Sequence, residues 1–202
     1  MAWKPDYLTL EEGKRWVRIK TGDTVDDLEI PVIITAASRA VDRHCHRQFG
    51  KTDAAETRYY TAWYDDEDCR WIVPVDDFMT PAVAGLVVVI DGVTTTDYTI
   101  GPRNAAADGK PYEWLAVASD AVTVPTGAPD EVAVTANPWG WTTVPANATL
   151  ATRLQLARWL KRRDAPFGIA GTGERQLRLL DKLDADVGTS LADFVRHDGM
   201  VG

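Results

Sequence analysis

Residues 44–46 read His-Cys-His, which sets two of the chain's three histidines beside one of its two cysteines. Two imidazoles and a thiol are the groups that ligate zinc or form an activated thiolate pair. They close the stretch "AASRAVDRHCHRQF" (residues 36–49). At ~100° per residue from Ile30, the positions Ile33, Ile34, Ala37, Val41 and Gln48 stay within about 60° of one line, so the stretch is expected to be helical. His44 and Cys45 flank that line on opposite sides and His46 points away from it. Ligands at i, i+1 and i+2 of a helix cannot converge on one ion, since helical metal pairs need i,i+3 or i,i+4 spacing. The expectation is therefore packing: His44 and Cys45 at the core edge, His46 toward solvent or a partner surface.

Other groups with chemical potential fail for equally specific reasons. "GIAGTGE" (residues 168–174) is glycine-rich, but it lacks the lysine and Ser/Thr of a phosphate loop and follows a helix rather than a strand; a hinge is expected. The acidic run Asp65, Asp66, Glu67 and Asp68 lacks the alternating ligands and central glycine of a calcium loop, so a solvated connection is expected. Asp76 and Asp77 would need a fixed distance to another acid to cleave glycosides. Trp63, Trp71, Trp114, Trp139 and Trp141 would suit a sugar-stacking platform, with core and interface packing the favoured alternative. No G-x-S-x-G motif occurs. The basic run Lys161, Arg162, Arg163 fits a helix C-terminus or contact with an acidic partner. No catalytic residue, metal or cofactor is expected, and the chain is not expected to be an enzyme.

Three blocks of sequence position these residues. "LTLEEGKRWVRI" opens with Thr9 and Glu12 at capping-box spacing, and Leu10, Trp16, Val17 and Ile19 give it a partly apolar face. "TGD" breaks that helix, and Thr24 with Asp26 and Asp27 is expected to open the next, with Pro31 marking a kink or a start nearby. Residues 56–142 change to short runs rich in Val, Ile, Thr, Tyr and Trp, separated by turn signals such as "DDED", "DDFMTP" and "PTGAPD". Asp91-Gly92 between "VVVI" and "VTTTDYTI" is a two-residue hairpin signal. About six strands at this spacing predict a small antiparallel barrel or sandwich. From Pro145 the chain is helical again: Leu150, Leu154, Ala157 and Leu160 form one apolar face, while Leu156 and Trp159 lie on another. A helix apolar on two sides is either deeply buried or shared with a neighbouring subunit. The fold class is thus α+β, a helical domain (residues 1–55 and 143–165) with an inserted antiparallel β domain (56–142) and a hinged C-terminal tail (166–202).

Composition bounds the function. A formal charge of -8 is unsuited to gripping nucleic acid through its phosphates. The longest apolar run, Leu86 to Ile90, is far short of the roughly 20 residues of a membrane span. The N-terminal residues show no secretory pattern, and Cys45 with Cys69 cannot build a disulfide scaffold, so reduced thiols in a cytosol are expected. Eight tryptophans exceed ordinary usage and suit interfaces as well as cores.

Three stretches carry a resemblance. "YLTLEEGKRWVRIKTGDTVDDLEIPVIITAASRAVDRHCHRQF" (7–49) resembles the N-terminal signature of head–tail connector (adaptor) proteins of long-tailed double-stranded DNA bacteriophages: a T-L-E-E helix, an acidic D-D opening, and a long Ala-rich helix ending in R-x-F. "PANATLATRLQLARWLKRRDAPFGIAG" (145–171) resembles the family's later helix, and "LDADVGTSLADFVR" (183–196) its C-terminal segment, with Ser190-Leu191 in place of paired leucines. The resemblance covers both ends of the chain and not the β block. It implies a structural adaptor located in the virion at the head–tail interface. Copies form a homo-oligomeric ring, usually of twelve, below the portal protein; the ring extends the DNA channel and docks the next connector, stopper or tail protein. Genomic DNA passes without specific binding, and no membrane is involved. Residues 9–49 and 145–163 are expected to build the ring body, the β block its outer or tail-proximal side, and the tail from Pro166 a portal contact ordered on binding. Subunit or portal contact is expected at Trp16, Leu156, Trp159, Phe167, Leu177, Leu180, Leu191 and Phe194. The alternatives are a virion-associated carbohydrate-binding or host-recognition β module, and a hydrolase using acids of the β block.

Overall fold

The computed structural model describes residues 4–20, 22–164, 169–170, 177–178 and 185–196. The chain divides into two compact units: a helical one, Pro5–Phe49 with Val144–Gly202, and a strand-rich one, Gly50–Thr143 with Met1–Lys4.

In the helical unit, α1 (Leu10–Trp16) starts at the expected capping box. The Thr9 hydroxyl accepts from the Glu12 amide at 3.2 Å, and the Glu12 carboxylate accepts from the Thr9 amide at 2.8 Å. The buried residues of α1 are Gly13 and Lys14, where the apolar pattern pointed elsewhere. Gly13 is required by a close approach: a Cβ there would lie 2.9 Å from Ile34 Cδ1 and 3.2 Å from Leu156 Cδ2. Lys14 is buried because Asp27 receives its ammonium at 2.6 Å and the Asp23 carbonyl accepts a second bond. The second helix, α2 (Glu29–Cys45), begins later than Thr24. Residues 24–28 form turns instead, with the Asp27 amide on the Thr24 carbonyl at 3.2 Å. Pro31 is then the third helical residue, where a backbone N–H has no partner within the helix, and it imposes no kink.

After the inserted unit, which holds the one-turn α3 (Thr80–Val83), α4 (Ala146–Asp164) returns and packs against α2. Ile30 and Ile34 of α2 meet Leu156 and Leu160 of α4 in one cluster with Leu8. Arg163, at the end of α4, reaches Asp26 and Glu29 at 2.9 Å each, so the two helices run antiparallel. The inward line of α4 is Ala148, Thr152, Gln155, Leu156 and Leu160. This corrects the expected apolar face: of Leu150, Leu154, Ala157 and Leu160, only Leu160 is buried, and Leu150 is 41% exposed. The short α5 (Ala185–Leu191) and a 3-10 turn (Ala192–Phe194) follow.

The inserted unit is two four-stranded antiparallel sheets. One has the order β1 (Glu56–Tyr60), β8 (Val132–Ala136), β4 (Val87–Ile90), β5 (Val93–Thr95); the other β2 (Trp63–Asp65), β3 (Arg70–Phe78), β7 (Tyr112–Ala118), β6 (Thr99–Gly101). Their inner faces share one core: Val88, Ile90, Val132 and Val134 from the first, Val73, Val75, Leu115 and Val117 from the second. The strand-rich stretch "TRYYTAW" yields two strands in different sheets, turning at Thr61 and the buried Ala62. Asp91 (φ 47°) and Gly92 (φ 77°) make the expected hairpin between β4 and β5. Asp76 and Asp77, expected in a turn, belong to β3. Pro74 is tolerated in β3 because β2 pairs only with Arg70–Ile72, leaving one side of the strand without a ladder partner at that point.

The ends of the insert are laced together. The Thr52 amide donates to the Trp139 carbonyl at 3.0 Å, the Trp139 amide to the Thr52 hydroxyl at 3.0 Å, and the Trp141 amide to the Gly50 carbonyl at 2.9 Å. Trp139 is fully buried, its indole N–H donating to the Glu56 carbonyl at 2.8 Å, with Phe78 edge-on at 6.0 Å. In the second sheet Trp114 packs against Gly101, so closely that a Cβ on Gly101 would clash with the indole ring. Gly101→Ala is expected to destabilise the protein by about 3 kcal/mol through overpacking, measured as the loss in denaturant midpoint at unchanged slope.

Candidate interaction surface

The His-Cys-His sequence ends α2 as packing. Cys45 is fully buried, its carbonyl accepting from the Arg196 amide at 2.8 Å. His44 is half-buried, with its Nε2 4.0 Å from where a Cβ of Gly188 would stand. His46 is exposed and adopts the left-handed conformation (φ 52°) that stops the helix. Three successive residues thus serve a core, a helix contact and a cap. Among the described residues no group of His, Cys, Asp and Glu is placed to hold a metal ion.

Asp65, Asp68, Asp76 and Asp77 of the β unit are engaged in structure. Asp65 accepts from the Glu67 amide at 3.2 Å and, with Asp68, faces Arg70. Asp76 holds Arg58 at 2.7 Å and Tyr60 at 3.0 Å. Asp77 accepts from the Trp141 indole at 2.7 Å on the other face of the strand. Asp77 is buried and both carboxylates are committed to partners within the fold, so neither is set opposite another acid as glycoside cleavage would need. Trp139 and Trp141 are buried, which removes them from any sugar platform; Trp63, Trp71 and Trp114 are half-buried. Apart from Ile169 in β9 (Ile169–Ala170), paired with Arg178 of β10 (Leu177–Arg178), and Ala170, the glycine-rich hinge lies outside the described residues.

The expected contact residues divide. Leu156 and Leu191 are fully buried inside their own helical unit. Phe194 is half-buried, edge-on to Phe49 at 6.0 Å, and Trp159 is half-buried on α4. Phe167, Leu180 and the Leu177 side chain lie outside the described residues. Residues 185–196, expected to order only on binding, are docked on their own chain: Val187 and Leu191 are buried and Asn147 donates to the Ser190 carbonyl at 2.8 Å. Trp16 remains accessible at 40%, with the Arg153 guanidinium 5.7 Å over its ring. It separates two shallow clefts of the helical unit. One of about 460 Å³ is lined by Arg15, Arg18 and Arg153 with Glu12. The other, of about 420 Å³, runs past Ala157, Leu160 and Lys161.

Among the described residues of this unit the most exposed apolar ones, Val25 (87%), Leu28 (88%) and Val32 (67%), are not those expected. The signal was available in the helix period. Leu28 and Val32 are four apart and lie opposite the line of Ile30 and Ile34, but a search for core faces passes over the far side.

Burial pushes the Cys45 thiol up to about 12, outweighing the attraction of Arg47, whereas Cys69 is exposed. Native protein at mildly alkaline pH is expected to show one rapidly alkylated thiol per chain, abolished by Cys69→Ser, with the second released only on unfolding. Two fast thiols would show that the end of α2 is open.

No protein-family model and no curated protein matches the chain. Among solved structures, the chain is similar to one in the "neck of empty GTA particle computed with C6 symmetry", a gene transfer agent. The TM-score is 0.55 at 15% identity, covering 100% of this chain and 96% of the other. At that identity the likeness is one of fold. The chain has the α+β fold, helices with two antiparallel sheets inserted, of a neck component of a phage-like particle.

Proposed function

We propose that the chain is a structural head-to-tail adaptor of a tailed phage virion. Copies form a ring beneath the portal that extends the DNA channel and docks the next connector or tail protein. The observation that carries this is the likeness in fold, over the whole chain, to a component of a phage-like neck. The sequence resemblance at both ends of the chain supports it independently. A ring of twelve, as the resemblance implies, obeys the C6 symmetry in which that neck was computed. The helical unit supplies the ring body, because it leaves apolar surface on the outer sides of both long helices. A formal charge of -8 suits a channel through which DNA slides, since the phosphates find too few cations to release their counterions.

Negative-stain imaging of the full chain mixed with portal protein is expected to show annular particles with a central hole seated on the portal. A chain that leaves the portal bare, and binds glycans or turns over a small substrate instead, would end the adaptor proposal.

A further inference from the structure

The helical unit presents two apolar faces on opposite sides of its main helix pair. The inner faces of α2 and α4 are sealed on each other through Ile30, Ile34, Leu156 and Leu160. About 180° from that seam, α2 and the turn before it expose Val25, Leu28 and Val32. On the far side of α4, Leu150, Leu154 and Ala157 lie on one line at i, i+4 and i+7, with Leu150 41% exposed and the other two half-buried. Leu28 and Val25 are nearly as open as in an unfolded chain, which a monomer gains nothing by maintaining.

The charges around the two faces differ in sign. Asp23, Asp26 and Glu29 lie at the positive end of α2, and the one Arg163 that Asp26 and Glu29 share leaves that end net negative. Lys161 continues the α4 line near its negative end, and Arg153 flanks it over Trp16. Pairing a face with its own copy would set acid on acid or base on base. Pairing one face with the other sets acids against bases and aligns the helix dipoles favourably if the helices run antiparallel. That arrangement is already present within the chain, where Arg163 of α4 binds Asp26 and Glu29 of α2 at 2.9 Å each.

We propose that neighbouring copies join head to tail, the Val25–Leu28–Val32 face of one lying antiparallel on the Leu150–Leu154–Ala157 face of the next. A contact between two different faces propagates from copy to copy and closes into a ring when the rotation allows. The proposal rests on the adaptor function above and assigns the surfaces that build its ring.

Leu28→Asp and Leu150→Glu, made separately in the full chain, test it. Leu28 immediately precedes α2 and is 88% exposed, so an acid there meets solvent at the positive end of the helix. Glu at Leu150 sits near the start of α4, where acids suit the dipole. Neither change should lower the melting temperature. By sedimentation velocity and native mass spectrometry, alone and with portal protein added, each variant is expected to remain monomeric. Self-association should weaken on the order of 30-fold or more. An equimolar mixture of the two should give a one-to-one dimer and nothing larger, because each variant keeps one intact face. Wild-type rings that persist in either variant, or dimers formed by one variant alone, overturn the head-to-tail pairing and leave the adaptor function standing. A wild-type chain that associates neither with itself nor on the portal overturns both.

Discussion

The contact between α2 and α4 is the interaction on which the helical unit depends. The two helices are far apart in sequence, and neither buries enough surface alone. Ile30, Ile34, Leu156 and Leu160 close the seam. Each such side chain contributes about 1.5–3 kcal/mol on full burial, against the roughly 0–1 kcal/mol of an exposed ion pair like that of Arg163 with Asp26. The seam therefore sets the stability, and the ion pair sets the register. Gly13 lets α1 lie directly on this seam, and Lys14 beside it is neutralised by Asp27. α5 then covers the other end, where Cys45 receives the Arg196 amide.

Local devices were legible in the sequence and long-range choices were not. The Thr9–Glu12 box and the Asp91-Gly92 turn are complete within a few residues, and both appear as expected. The start of α2 was misplaced because Thr24, Asp26 and Asp27 have the chemistry of a helix opening but are used in turns, leaving Leu28 as a cap without a capping side chain. The inner face of α4 was misassigned because Thr152 and Gln155 point inward while Leu150 points out. Thr152 satisfies its hydroxyl on the Ala148 carbonyl at 2.8 Å, so burying it needs no external partner. Hydrophobic period finds faces, but it cannot rank them when a hydroxyl such as that of Thr152 solves its own hydrogen bonding.

The tryptophans show the same division. Five in the β block looked alike as a group, yet Trp139 and Trp141 serve a hydrogen-bonding purpose that only the folded chain defines. Their indole N–H groups bond the Glu56 carbonyl and the Asp77 carboxylate, partners more than sixty residues away. Asp76 and Asp77, weighed as candidate acids for glycoside cleavage, are consumed in the same way, one by Arg58 and Tyr60 and one by Trp141. Asp76, Asp77, Trp139 and Trp141 are thus each fixed by a partner distant in sequence.

The lacing of Gly50 and Thr52 to Trp139 and Trp141 has an evolutionary corollary. Since the chain leaves and re-enters the helical unit through points a few hydrogen bonds apart, a short loop could bridge the same gap that the whole β unit now fills. Such a doorway permits lengthening, trimming or wholesale exchange of what lies beyond it without redesign of the helices.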